Sequence, residues 1–376
     1  MRLLFDARYI RTDFHDGISR FSAELARAVT EEAPAHGVEV AFLIHDPAQA
    51  ALLPPGARTL KIHAPTSAKE PFTALILNRY RPDAVFSPMQ TIGSLGRRFR
   101  LILTLHDTIY YRHRTPPRDL GWAVRLGWRL FHLSYVPQRL VLNRADVVAT
   151  VSETSAREFA RVRLTRRPVV VLANAPQRLA EMLPADRRDG ADPVEHRPDV
   201  APRNIVYMGS FMPYKNVETL VRAMRDLSDH TLHLLSRITP QRERELLQLR
   251  EPGGGEVVFH HGVSDETYAA LLDDRALLAT LSLDEGYGLP IAEALAFGVP
   301  AVVSDLEIFR EVAGEGALYV PPTDPGAFAS AVTQLDDPLT RSRTIESGLA
   351  HARRFSWERT AQQLLRTVRE GDAESA

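Results

Sequence analysis

Apolar residues are grouped in short unbroken runs, separated by longer stretches in which they recur every three to four positions. In the first half of the chain the runs Leu3–Phe5, Val40–Ile44, Ala84–Phe86, Leu101–Leu105, Val147–Val151 and Val169–Leu172 predict strands. A strand covered on both faces has no polar face to show, so it is written as a continuous apolar run; runs alternating with amphipathic helices predict a parallel sheet between two helical layers. The alternation stops between Arg178 and Arg203, where breakers replace any apolar period, and this stretch predicts a linker or long loop. It resumes at Asn204, with strands predicted at Ile205–Met208, Leu232–Leu235, Val257–His260, Ala276–Leu281, Ala301–Val303 and Ala317–Val320. The amphipathic segment Phe355–Arg369 closes the chain. The expected organisation is an N-terminal domain over 1–177, a linker over 178–203, a second domain over 204–354, and a terminal helix within 355–376 packing back across both. The fold class is α/β: two Rossmann-like, doubly wound domains facing across a cleft. Ligands bind at the carboxyl ends of such sheets, where loop amides and helix N-termini converge.

Composition narrows the classes. A chain of 376 residues has room for two buried cores. With 44% apolar and 25% charged residues and a formal net charge of −1, it carries no general electrostatic footprint for nucleic acid. Cysteine is absent, which excludes disulfides and thiolate metal sites and suits the cytoplasm. The opening Met-Arg-Leu-Leu-Phe-Asp reads as a first strand rather than a signal peptide, and no run approaches the roughly 18 apolar residues of a membrane span. Only Lys61, Lys69 and Lys215 are lysines among 46 basic residues. In so arginine-rich a chain, a retained lysine invites a chemical explanation.

The densest chemistry lies in Asp284-Glu285-Gly286-Tyr287-Gly288-Leu289-Pro290-Ile291-Ala292-Glu293, which follows a predicted strand. Pro290 suits the first position of a helix, so Glu285 is expected in the loop and Glu293 in the opening turn. Gly286 and Gly288 let the backbone turn sharply and a ligand come close. The N–H groups of the next turn then favour an anion such as a diphosphate. Ionised carboxylates beside it are pure acceptors, suited to sugar and ribose hydroxyls. A plain helix start would account for Glu293 but leaves Glu285 and both glycines without a role. Upstream, Val206-Tyr207-Met208-Gly209-Ser210-Phe211-Met212-Pro213-Tyr214-Lys215-Asn216 reads as strand, glycine turn and helix entry, with an ammonium placed to neutralise a diphosphate. In the first half, His106-Asp107 closes a predicted strand, and Asp16-Gly17-Ile18-Ser19-Arg20 opens a predicted helix.

These segments together resemble the retaining GT-B glycosyltransferases of family four, bacterial mannosyltransferases among them. The resemblance rests on two glutamates with seven residues between them around Gly-Tyr-Gly-Leu-Pro, and on Gly209-x-x-x-Pro213-x-Lys215-Asn216. It implies that Glu285 lies by the donor sugar and Glu293 by the nucleotide's ribose, with Gly286, Tyr287, Gly288, Leu289 and Gly209 around the donor. It implies further that Lys215 binds phosphate, that His106 faces the sugar, that Gly17 approaches phosphate or acceptor, and that Val263 borders the nucleobase. Many members carry arginine where this chain has Tyr214, so one phosphate contact of the family is in question. Val151-Ser152-Glu153-Thr154-Ser155 also fits the pattern, but Ser152 reads as a helix cap.

The implied reaction moves a hexosyl group, mannosyl favoured and glucosyl next, from GDP-mannose or UDP-glucose to a hydroxyl of a glycan or glycolipid, with retention, in cell-envelope glycan synthesis. No Asp-x-Asp triplet is present, and neither metal nor cofactor is expected. Two other readings share the architecture: a non-hydrolysing nucleotide-sugar epimerase, and a binder of nucleotide sugars without activity. Between Arg118 and Arg144, Trp122, Leu126, Leu130 and Leu133 form an apolar stripe among five arginines and one acid, Asp119. Either core packing or peripheral contact with the inner face of a membrane explains that stripe.

Overall fold

The computed structural model describes residues 1–13, 17–115, 121–183 and 200–373. Asp16, Arg118, Asp119 and most of the expected linker, residues 184–199, lie outside the described residues. The chain forms two compact units, one built from residues 1–174 together with the segment from Phe355 on, the other from Ala175–Arg354.

Among the described residues the first unit has seven strands: β1 (Arg2–Asp6), β2 (Glu39–Ile44), β3 (Thr59–Lys61), β4 (Ala84–Ser87), β5 (Arg100–Thr104), β6 (Val147–Thr150) and β7 (Val169–Val171). Their order is β3-β2-β1-β4-β5-β6-β7, and every neighbouring pair is parallel. The order reverses between β1 and β4, the switch point of a doubly wound sheet. All residues of β4 and β6 are buried, as their unbroken apolar runs require. β3 escaped the sequence reading because Thr-Leu-Lys is too short and too polar to show a period; its register against Phe42–Ile44 at the sheet edge makes it a strand. The terminal helix Trp357–Ala373 belongs to this unit and packs on the helix Gly17–Glu32. Trp357 stands 5.8 Å from Phe21, and Thr360 Oγ1 donates to the Ala173 carbonyl at 2.7 Å.

The second unit repeats the plan with β8 (Asn204–Tyr207), β9 (Thr231–Leu234), β10 (Glu256–Phe259), β11 (Ala276–Thr280), β12 (Ala301–Ser304) and β13 (Ala317–Val320). The order is β10-β9-β8-β11-β12-β13, again all parallel, with the switch point between β8 and β11. Ile205, Leu232, Leu277 and Val302 from the sheet meet Leu220, Phe328 and Val332 from the helices in one core. Among the described residues, no helix is long and apolar enough to cross a membrane.

At the switch point of the first sheet the polar strand ends are sealed. Arg8 donates from Nε and Nη2 to both oxygens of Asp6 at 2.7 and 3.0 Å, and from Nη1 and Nη2 to both oxygens of Glu70 at 2.7 and 2.9 Å. Ser87, at the end of β4, donates to Asp6 at 3.1 Å, and the His63 carbonyl accepts from Arg8 at 3.2 Å. Burial alone would lower the guanidinium's pKa, but the two carboxylates outweigh that effect and hold the pKa above the ordinary value. The network pins residues 63–73 over the sheet end. Arg8→Met strands two buried carboxylates, and urea unfolding is expected to show a loss of about 3 kcal/mol or more. A loss below about 1 kcal/mol would remove the pinning role.

Candidate active site

The two richest motifs of the sequence leave adjacent strands of the second sheet, β8 and β11, at the switch point. After β8 the chain turns over Tyr207, which is fully buried and donates from its hydroxyl to the Ser210 carbonyl at 2.6 Å. Burial, with Glu285 nearby, pushes the phenol's pKa well up, so it stays a neutral donor. Gly209 is required here: a Cβ would lie 2.8 Å from the Tyr207 hydroxyl, and the glycine N–H donates to Ser236 Oγ at 3.2 Å. A short turn, Pro213–Lys215, then delivers Lys215, and Asn216 takes the left-handed conformation at φ 51°.

Asn216 joins the loops. Its Nδ2 donates to the carbonyls of Leu281 at 2.9 Å and Pro322 at 2.6 Å, while its Oδ1 accepts from Thr219 at 2.8 Å. The Leu283 N–H adds a bond to the Tyr214 carbonyl at 2.7 Å. Across this bracing, Lys215 Nζ lies 2.6 Å from each carboxylate oxygen of Glu285, with both side chains mostly buried. The ammonium also stands 5.4 Å from the ring of Tyr214, where many family members have arginine. A small pocket opens beside the pair, lined among others by Met208, Thr280, Gly288, Ile291 and Phe309.

The helix Leu289–Ala296 begins behind Glu285. Gly288 caps it at φ 101°, where a Cβ would sit 3.0 Å from Phe309 Cε1, so this glycine is held by both backbone angle and space. Two expectations need correction. The helix starts one residue before Pro290, which puts Glu293 fifth in the helix rather than in its opening turn, buried to 1% exposure. The Ile291 N–H also turns back onto the Gly288 carbonyl at 2.9 Å, and Pro290 has none to offer. The first turn therefore brings fewer amides to an anion than its sequence suggested, which shifts weight onto Lys215.

The remaining candidates fall as follows. Gly286 lies in the same loop, Tyr287 is buried with its phenol pKa raised by that burial, and Leu289 is half-buried at the helix start. Val263 follows β10, two strands from β8, after Gly262 at φ 104°. His106 and Gly17 belong to the first unit. His106 Nε2 donates to the Pro88 carbonyl at 2.9 Å, which fixes the proton on that nitrogen, and its ring meets Phe21 edge-on at 5.2 Å. Asp107 caps the next turn by accepting from the Ile109 N–H at 2.9 Å. Gly17 starts its helix with open space around it. Among the described residues, no group of three His, Asp or Glu side chains could hold a metal ion. Asn216 is the functional residue the sequence reading left without a role. The usable signal was its type, since asparagine tolerates positive φ better than most residues.

Comparison with known proteins agrees with this geometry. Residues 202–337 match the family described as "Glycosyl transferases group 1", and residues 16–175 match the "Glycosyl transferase 4-like domain". The O-antigen chain mannosyltransferase B of Escherichia coli is 30% identical over 277 residues, covering 71% of this chain and 69% of that protein. The MMP alpha-(1->4)-mannosyltransferase of Mycolicibacterium hassiacum is 30% identical over 286 residues, covering 72% of this chain and 65% of that protein. Among solved structures, a sucrose-phosphate synthase from Thermosynechococcus elongatus superposes with a TM-score of 0.72 at 20% identity, covering 99% of each chain. HepE from Anabaena in complex with UDP-glucose superposes with a TM-score of 0.67 at 17% identity, covering 98% of this chain and 100% of that one. Two parallel α/β units, the paired Lys215 and Glu285 at the second switch point and these matches lead to one assignment: the chain belongs to the group 1 glycosyl transferases of the GT-B, family four-like class.

Proposed function

We propose that the protein transfers a hexosyl group, mannosyl in preference to glucosyl, with retention and without a metal ion, from a nucleotide-diphosphate sugar to a hydroxyl of a glycan or glycolipid. GDP-mannose is the favoured donor and UDP-glucose the next. The mannosyltransferases among the relatives support the first, and a structural neighbour solved with UDP-glucose supports the second. The enzyme would work in the cytoplasm, against the inner face of the membrane, in cell-envelope glycan synthesis.

The observation that carries the reading is the ion pair between Lys215 and Glu285. A diphosphate entering beside Gly288 competes for the ammonium and draws it from the carboxylate. Glu285 is then left with both oxygens to accept from sugar hydroxyls, while Lys215 stabilises charge growing on the departing phosphate. Glu293 would take the ribose, and Gly209, Gly286, Tyr287, Leu289 and Val263 would shape the rest of the donor site. From the first unit, His106 would face the sugar, and Gly17 would serve phosphate or acceptor.

Three outcomes follow. Glu285→Gln, which keeps shape and removes charge, is expected to cut the transfer rate by about a hundred-fold or more while the melting temperature in the absence of donor stays close to the parent's; a rate within a few-fold of the parent would defeat the assignment. Lys215→Met is expected to weaken donor binding by about ten-fold to a hundred-fold, read as a smaller donor-induced rise in melting temperature across a panel of sugar nucleotides. An undiminished shift would remove Lys215 from the phosphate site. Finally, transfer assayed in excess chelator is expected to keep its rate, and proton NMR of the product to show the donor's anomeric configuration. Loss of turnover restored by magnesium, or an inverted product, would overturn that part.

A further inference from the structure

The first unit carries a helical face that its own packing leaves uncovered. The helix Trp122–Phe131 meets its surroundings through Trp128, which lies 5.1 Å from Tyr110, and through the turn after it, where His132 stands 4.1 Å from Trp128 and 5.0 Å from Tyr111. His132 donates from Nδ1 to the Trp128 carbonyl at 2.8 Å, and burial lowers its pKa, so this inner face is neutral and aromatic. The other face points to water. Trp122, Leu126 and Leu130 follow one another at each turn and are 82%, 52% and 59% exposed. Leu133, Val136 and Leu140 continue the exposure into the helix Val136–Leu142. Core packing, one of the two explanations the sequence allowed for this stripe, is therefore excluded for its named residues.

Exposed apolar side chains scattered singly need no explanation, whereas seven within residues 122–140 form a patch. Basic residues outnumber acidic ones around it, and the nearby carboxylates are held in ion pairs, Glu158 by Arg112 and Arg161 and Asp146 by Arg97. Residues 121–145 contain four arginines and no carboxylate, in a chain whose net charge is −1. At 100° per residue, Arg125 and Arg129 fall on the flank beside Trp122. A second basic segment is tied alongside: Arg139 donates to the carbonyls of Val162 at 2.6 Å and Arg163 at 3.0 Å, and Arg167 to that of Asn143 at 2.9 Å. This brings the exposed Arg163, Arg166 and Arg167 next to the helix Val136–Leu142. An apolar face bordered by arginines matches a bilayer surface, where side chains enter the acyl boundary and guanidinium groups meet lipid phosphates.

We infer that this face docks the protein on an anionic lipid bilayer, with Trp122, Leu126 and Leu130 inserted and Arg163, Arg166 and Arg167 at the headgroups. The inference rests on the placement at a membrane proposed above and on none of the donor chemistry. It is tested by flotation with phosphatidylcholine vesicles made with or without phosphatidylglycerol, at low and high salt, in the absence of sugar nucleotide. The parent is expected to float with the anionic vesicles alone and to float less at high salt. The variant W122S/L126S/L130S and the variant R163S/R166S/R167S are each expected to partition about ten-fold more weakly, with the parent's melting temperature and donor-induced shift retained. Failure of the parent to float, or unchanged flotation of both variants, would overturn the inference. So would a parent dimer that the apolar variant converts to monomer, since a second copy would then cover the face. A donor-induced shift persisting alongside any of these would leave the transferase reading standing.

Discussion

One ammonium shared by both oxygens of one carboxylate governs the second unit's site. Lys215 and Glu285 come from loops that follow different strands, and each is withdrawn from most of its water. Each charge offsets part of the other's desolvation, and both keep some contact with water. On the proposed reading the pair can be exchanged: a polyanion would be a stronger partner for an ammonium than a lone carboxylate, and the event that binds it would turn Glu285 into an open acceptor. The braces around the pair confine the exchange to the two side chains: the bonds from Asn216 to Leu281 and Pro322 hold the loops whether or not the ion pair is made.

The two sheets end their switch points in opposite ways. In the first, the Arg8 guanidinium gives hydrogen bonds to both oxygens of two carboxylates and to a backbone carbonyl, so its donors are spent within the fold. Such a network rigidifies and offers nothing to a ligand. In the second, a three-donor ammonium meets a single carboxylate and the face of one tyrosine, and a pocket opens beside it. Comparable positions in comparable sheets are thus closed in one case and open to a pocket in the other, and donor capacity left over after folding separates them. The choice of residue follows: a planar fork suits a closed bidentate network, and a compact charge on a flexible stem suits exchange.

Much of this was legible because burial on both faces writes parallel strands as unbroken apolar runs. Among the described residues, twelve of the thirteen strands stand where such runs predicted them, and β3 failed for want of length. The glycine and lysine motifs were legible because their chemistry restricts the residue type: Gly288 needs positive φ and Gly209 has no room for a Cβ. What stayed hidden was set by tertiary bonding. Nothing in the order of residues said that the Ile291 amide would turn back onto Gly288, that Glu293 would sit one residue deeper, or that Asn216 would reach a carbonyl more than a hundred positions away. Those outcomes depend on where the loops meet.

The stripe over residues 122–133 shows a further limit of periodicity. An apolar spacing says which side chains share a face, and is silent on whether that face is covered. Here the helix partly covers a second set of aromatic residues, Trp128 with His132 at its end, so it is apolar on two sides with arginines between. A helix of that kind gains too little from one buried face to explain the composition of the other. Free energy spent on keeping Trp122, Leu126 and Leu130 in water is recovered only where another phase or molecule takes them up, and the basic excess of the bordering charges limits which. Even-handed charge would suit a protein partner or a second copy as well as a lipid surface. An excess of guanidinium groups, with the nearby carboxylates Glu158 and Asp146 already paired, would repel its own copy and favours phosphate, and that asymmetry is what turns an uncovered helix face into a statement about its surroundings.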